Sequence, residues 1–216
     1  MTDPLISNHE SPISRDLVGR IDAVLPQTQC TRCGFADCRA YAEAMAHGEA
    51  EINRCPPGGA AGIQTLAELL GRPVLPLDPD CGSEETAPMV AFVREDECIG
   101  CYKCARACPV DAFVGARQRL HTVIESECTG CELCIPACPV DCIELRPRQV
   151  DGDFARQRAD HSRRRYAAHQ AHMAERASER EAMGATHIAH AAREARITSF
   201  LGAARGRIGR PGGPRR

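Results

Sequence analysis

The chain has 216 residues, 43% of them hydrophobic but only 4% aromatic, with 14 cysteines, a single lysine (Lys103) and no tryptophan. Its net charge of −2 hides an asymmetry: residues 1–150 hold 13 Arg and Lys against 22 Asp and Glu, whereas residues 151–216 hold 14 Arg against 7 acidic residues. An acidic body carrying a basic tail implies two regions with different partners. No run of 18 apolar residues occurs, which excludes a transmembrane helix. The segment from Met1 to Arg20 lacks the apolar stretch of a secretory signal. In the reducing compartment this implies, cysteines more often hold metal than pair with each other, so zinc and iron–sulfur clusters rank ahead of disulfides.

Four segments follow in chain order. In the first, 13–71, Leu17, Val18, Ile21, Val24 and Leu25 fall on one helical face that Pro26 ends. A second, alanine-rich helix is predicted from about Asp37–Cys38 to His47, closed by Gly48. A third follows Pro56-Pro57-Gly58-Gly59, with Ile63, Leu66, Ala67 and Leu70 inward and Gly71 as its stop. Residues 72–88 contain Pro73, Pro76, Pro79 and Pro88 and read as a mostly extended linker. Residues 89–147 hold an internal repeat. The fourth segment, 151–216, has a thin apolar stripe at Tyr166, Met173 and Ala177. It reads as a solvated helix fraying into a disordered end at 206–216, with His169 and His172 in solvent.

The repeat carries the strongest chemistry. Cys98, Cys101, Cys104 and Cys108 form C-x2-C-x2-C-x3-C before Pro109; Cys128, Cys131, Cys134 and Cys138 repeat it before Pro139, 30 residues on. Structural zinc prefers two separated C-x2-C knuckles around one tetrahedron. Three cysteines at successive x2 intervals instead wrap a larger object, and in the bacterial pattern the x3 cysteine ligates the other cluster. The expected ligands of one [4Fe–4S] cluster are therefore Cys98, Cys101, Cys104 and Cys138, and of a second Cys128, Cys131, Cys134 and Cys108. This stretch resembles the bacterial two-cluster ferredoxins, which implies a small α+β fold of two pseudo-symmetric halves. Val90, Phe92 and Ile124 sit in β-prone runs, and helical turns are expected after Cys108 and Cys138. Cys142 and the linker's Cys81 read as bystander thiols, and His121 as structural rather than a ligand.

Upstream, Cys30, Cys33, Cys38 and Cys55 form C-x2-C-x4-C-x16-C. Spacing alone leaves zinc open there. The surrounding text, Leu25 to Cys30, Cys33 to Ala44 and Cys55-Pro56-Pro57-Gly58-Gly59, resembles the four-iron domain of the B subunit of Rnf-type electron-transport complexes. Proteins of that family carry a ferredoxin module in the same order, and the likeness covers residues 16–146. It implies a third [4Fe–4S] cluster on Cys30, Cys33, Cys38 and Cys55. Members of that family commonly begin with a transmembrane helix, absent here, and often have glycine at the positions of Thr31 and Asp37.

The function expected is relay of single electrons through three [4Fe–4S] clusters by a carrier with no catalytic residues and no substrate site of its own. Pro57-Gly58-Gly59 and Pro211-Gly212-Gly213 lack the pattern of a nucleotide-binding fingerprint. Lys103 reads either as an offset to cluster charge or as an exposed loop residue. Redox proteins, including subunits of a membrane electron-transport complex, are the expected partners, and nucleic acid is not. The expected location is cytoplasmic, with peripheral attachment to the inner membrane through the basic tail left open. The alternatives are a stand-alone ferredoxin serving a reductive enzyme and a cluster-bearing regulatory or nucleic-acid-associated protein.

Overall fold

The computed structural model describes residues 12–85, 87–148 and 154–208. Three helices build the N-terminal part. Helix α1 (Pro12–Val24) buries Val18, Ile21 and, just beyond its end, Leu25; Pro26, with no N–H to donate, prevents its extension. Helix α2 (Cys38–His47) starts where the Asp37 carboxylate accepts the N–H of Ala40 at 2.7 Å. It stops at Gly48, whose φ of 75° lets its N–H reach back to the carbonyls of Ala44 and Met45. Helix α3 (Gly59–Leu70) closes the same way at Gly71. Tyr41, Met45, Ile52, Ile63 and Leu66 join Ile21 in one core, each full burial contributing about 1.5–3 kcal/mol relative to exposure.

The proline-rich segment is held along this domain. Asp78 N–H donates to Asn53 O at 2.9 Å, Leu77 packs on the core, and Cys81, in a 3-10 turn over Pro79–Cys81, is buried.

The repeat folds as two small antiparallel ladders. Strand β1 (Met89–Val93) pairs with β4 (Ile143–Pro147), Met89 opposite Pro147 and Val93 opposite Ile143. The two-residue strands β2 (Phe113–Val114) and β3 (Thr122–Val123) pair with each other. The pseudo-symmetry is visible in the backbone: Gly100 and Gly130, Tyr102 and Glu132, and Asp111 and Asp141 all have positive φ, each pair 30 residues apart. The glycines are required by contact as well as by φ. A Cβ on Gly100 would lie 2.8 Å from Arg119 N, and one on Gly130 would lie 2.7 Å from Met89 O.

Two expectations need correction here. Helix α4 (Lys103–Ala107) lies before Cys108 rather than after it, and the second half has only turns before Cys138. After each x3 cysteine comes a proline and then an aspartate with φ near 50°, which reverses the chain before a helix can form. Ile124, expected in a strand, lies just beyond β3.

Helix α5 (Phe154–Ile208) occupies the described part of the expected tail; of the end expected to be disordered, 206–208 are its last residues and 209–216 lie outside the described residues. The first compact unit extends through His169, because the first turns of α5 pack on the body. Tyr166 joins the ferredoxin core, and its hydroxyl donates to Asp37 Oδ2 at 2.9 Å. Arg163 Nε meets Asp22 Oδ2 at 2.8 Å, and Arg165 Nη2 donates to Val110 O at 2.8 Å. His169 was expected in solvent, but its Nδ1 lies 2.8 Å from Asp111 Oδ1 and its side chain is mostly covered; His172 is exposed. The second unit, 170–216, contains the rest of α5, where Met173, Met183 and Ile188 are exposed. Among the described residues no helix is long and apolar enough to cross a membrane.

Candidate iron–sulfur centres

Two of the three expected cysteine sets line a pocket each. Cys30, Cys33, Cys38 and Cys55 line one cavity of about 290 Å³, walled by Leu25, Tyr41 and Pro56. Cys98, Cys101, Cys104 and Cys138 line a second of about 280 Å³, so the x3 cysteine of the second half does sit with the first three of the other. Cys108 lies in one buried core with Cys128 and Cys134, and Cys131 is partly buried.

Burial disfavours free thiolate at these sites. Burial pushes the Cys38 thiol up to about 12, with neighbouring thiols adding to the shift, and pushes Cys104 and Cys131 up to about 11. Cys55 and Cys134 are raised further by the same desolvation. Such thiols stay protonated at neutral pH unless a metal replaces the proton, since the thiolate is the ligand.

The backbone is already aimed at the sulfurs. Ala112 N–H donates to Cys108 Sγ at 3.2 Å and Ala91 N–H to Cys128 Sγ at 3.4 Å. In the N-terminal site the N–H groups of Phe35, Gln29 and Gly58 face Cys33, Cys38 and Cys55. At Cys138 burial raises the thiol, but N–H groups of Val140, Asp141 and Cys142 together with the Cys142 thiol outweigh it and bring it below the ordinary value. Left-handed Asp111 and Asp141 turn the Cys-Pro-Val-Asp loops so that these amides converge on sulfur, a backbone nest suited to negative charge. Largely buried thiol quartets with backbone N–H groups aimed at sulfur fit [4Fe–4S] groups in donor chemistry.

Curated relatives decide the family. The chain is 61% identical over 135 residues to the B subunit of the ion-translocating oxidoreductase complex of Alkalilimnicola ehrlichii, covering 62% of this chain and 73% of the relative. It is 59% identical over 131 residues to the corresponding protein of an Azoarcus species, covering 61% and 71%, and 64% identical over 127 residues to that of Pseudomonas paraeruginosa, covering 59% and 65%. The chain belongs to the B-subunit family of Rnf-type ion-translocating oxidoreductase complexes. Within it, residues 91–145 match a family described as a 4Fe-4S dicluster domain, and residues 25–57 match an Fe–S cluster family. Membership makes the chain an iron–sulfur protein of electron transfer.

In this member of the family, several residues near the centres escaped sequence reasoning. Cys142 is buried, as expected, but it also lines the cavity of Cys98, with its Sγ 3.5 Å from Cys138 Sγ. Gln29 is buried, and its Oε1 accepts the N–H of Cys38 at 2.9 Å. Thr31, where family members often have glycine, has φ 60°, a strained conformation for a β-branched residue. Lys103 is exposed at the first position of α4. Comparison of the halves at an offset of 30 would have singled out His121, which stands where the first half has Ala91.

Proposed function

We propose that the chain holds three [4Fe–4S] clusters and relays single electrons through them in a fixed spatial order. Cys30, Cys33, Cys38 and Cys55 hold the first, Cys98, Cys101, Cys104 and Cys138 the second, and Cys128, Cys131, Cys134 and Cys108 the third. Bound with four cysteine ligands, a [4Fe–4S] cluster exchanges single electrons, and the protein sets its potential.

One observation carries the relay: the loops of the first and third sites are fastened together. Thr129, between Cys128 and Cys131, donates its hydroxyl to Thr28 O at 2.9 Å, and Thr28 lines the first cavity. Arg32, between Cys30 and Cys33, pairs with Glu132, between Cys131 and Cys134, and also with Glu85 at 2.9 Å. The third site shares one buried core with the second. At the repeat position of Thr129 the second site carries Ile99, which is 60% exposed where Thr129 is 3% exposed. The order is therefore first, third, second, with the second site nearest a partner. The side chains bind the clusters, the nests supply N–H groups to sulfur, and the buried core excludes water.

In this reading the chain is a carrier without a substrate site of its own. Its partners are the other subunits of an ion-translocating oxidoreductase complex. It sits on the cytoplasmic face of the inner membrane, attached by protein contacts and its arginine-rich region; Arg and Lys near an anionic surface contribute about 1 kcal/mol each. Anaerobic redox titration followed by EPR tests it. Three one-electron signals are expected, with magnetic coupling between neighbours; two signals, or none, would overturn it.

A further inference from the structure

Adding 30 to a residue number in the first half of the ferredoxin module gives its counterpart in the second. The rule pairs Cys98 with Cys128 and Asp111 with Asp141, and it pairs Ala91 with His121. Each of this last pair reaches the first cysteine of the opposite half. On one side the contact is main-chain, Ala91 N–H to Cys128 Sγ at 3.4 Å. On the other it is a side chain, His121 Nδ1 at 3.6 Å from Cys98 Sγ. The duplication is broken at this point by an imidazole.

The ring is built into the site. His121 is 1% exposed and lines the cavity of Cys98, Cys101, Cys104 and Cys138. Its Nε2 is buried with no hydrogen-bond partner among the described residues, so no second hydrogen bond holds the ring. Burying an unpaired ring nitrogen is costly, which makes the sulfur contact the ring's one polar return. Room for it comes from Gly115, where a Cβ would lie 2.5 Å from His121 Cδ2; the counterpart of Gly115 is Leu145. The Tyr102 ring packs on the imidazole at 5.6 Å between centroids.

A metal-bound cysteine sulfur carries no proton and can only accept. The nitrogen facing it must then be the protonated one. We propose that His121 is a positioning residue for the second site: its Nδ1–H donates to Cys98 Sγ and sets the reduction potential of the cluster held there, independently of the cluster in the other half. This rests on the ligand assignment proposed above. Reduction adds negative charge that spreads onto the sulfurs, so a donor to sulfur stabilises the reduced form more and raises the potential. One side chain thereby adjusts one member of an otherwise duplicated pair.

The test uses the full-length, cluster-loaded protein. Iron analysis and EPR of the unaltered chain come first; absence of clusters there overturns the ligand assignment rather than the role of His121. With nitrogen-15 placed only in histidine, pulsed EPR of the reduced unaltered protein should show nitrogen-15 coupling on one ferredoxin cluster, and its absence overturns the proposal whatever the variants do. In redox titrations His121→Leu should lower the equilibrium constant for reducing one cluster about tenfold, a fall of about 59 mV for one electron, and leave the other unchanged. His121→Asn, whose amide N–H reaches toward the Nδ1 position, should recover most of that fall. Gly115→Ala, which keeps the imidazole but displaces it, should shift the same cluster and serves if the Leu variant loses iron. Unchanged potentials, or equal shifts in both clusters, overturn the proposal.

Discussion

Cutting the chain after residue 150 and cutting it after His169 should have different outcomes, because the first turns of α5 are fastened to the cluster-bearing body. Arg158 donates to Cys128 O at 3.2 Å and His161 Nε2 meets Glu127 Oε2 at 2.7 Å. Arg163 grips Asp22 through both its carboxylate, at 2.8 Å, and its carbonyl, at 2.9 Å. Arg165 holds Val110 O and Tyr166 holds Asp37. Each such bond contributes about 0.5–1.5 kcal/mol, with Arg163 at the upper end because the Asp22 side chain it faces is only 10% exposed. Allowing for non-additivity, the cut after residue 150 should cost about 3–6 kcal/mol. At about 2–4 °C per kcal/mol for a chain of this size, that lowers Tm by roughly 10–20 °C. The cut after His169 removes residues whose described side chains are mostly exposed, and should shift Tm by less than about 2 °C. Anaerobic melts followed by visible cluster absorption and by circular dichroism check both. Equal melting of the two truncations, whether both near the intact protein or both far below it, would refute the packing argument.

Cys108→Ala should abolish the EPR signal of the cluster held by Cys128, Cys131 and Cys134 and spare that of its own sequence neighbours; loss of only the Cys98 cluster would refute the exchange of ligands. Asp37→Ala removes the cap of α2 and the acceptor of the Tyr166 hydroxyl, and should cost about 2 kcal/mol in chemical denaturation. Thr31→Gly should stabilise by up to about 1 kcal/mol, since a β-branched residue leaves a left-handed conformation; a loss of stability in the same denaturation assay would show that Thr31 is held by contacts worth more than its strain. Gly100→Ala places a Cβ against the Arg119 backbone and should cost more than about 2 kcal/mol, read as faster loss of iron to a chelator.

What was legible in the sequence is what local spacing controls. The successive x2 spacing brings Cys98, Cys101 and Cys104 to one pocket because residues a few positions apart in a turn face one object, and Cys138 of the other half lines it with them. Helix α2 could be bounded to the residue because Asp37 and Gly48 are caps with a mechanism. The packing of α5 could not be read. Arg163, Arg165 and Tyr166 dock by single polar contacts to Asp22, Val110 and Asp37, and hydrophobic periodicity registers only apolar faces. The helical turn was misplaced in the repeat because the left-handed aspartates after Cys108 and Cys138 bend the chain to serve sulfur. His121, beside a strand-prone run, and Cys142, beside Ile143, looked structural; only their approach to Cys98 and Cys138 in space gives them a neighbour with chemistry.

The most direct measurement is the metal and sulfide content of anaerobically prepared protein, site by site. With four irons per cluster, the three-site assignment requires about twelve irons and about twelve labile sulfides per chain. Cys55→Ala should bring this to about eight, with the ferredoxin signals intact. Eight irons with one zinc in the unaltered chain would contradict the account, placing zinc rather than a cluster at Cys30, Cys33, Cys38 and Cys55.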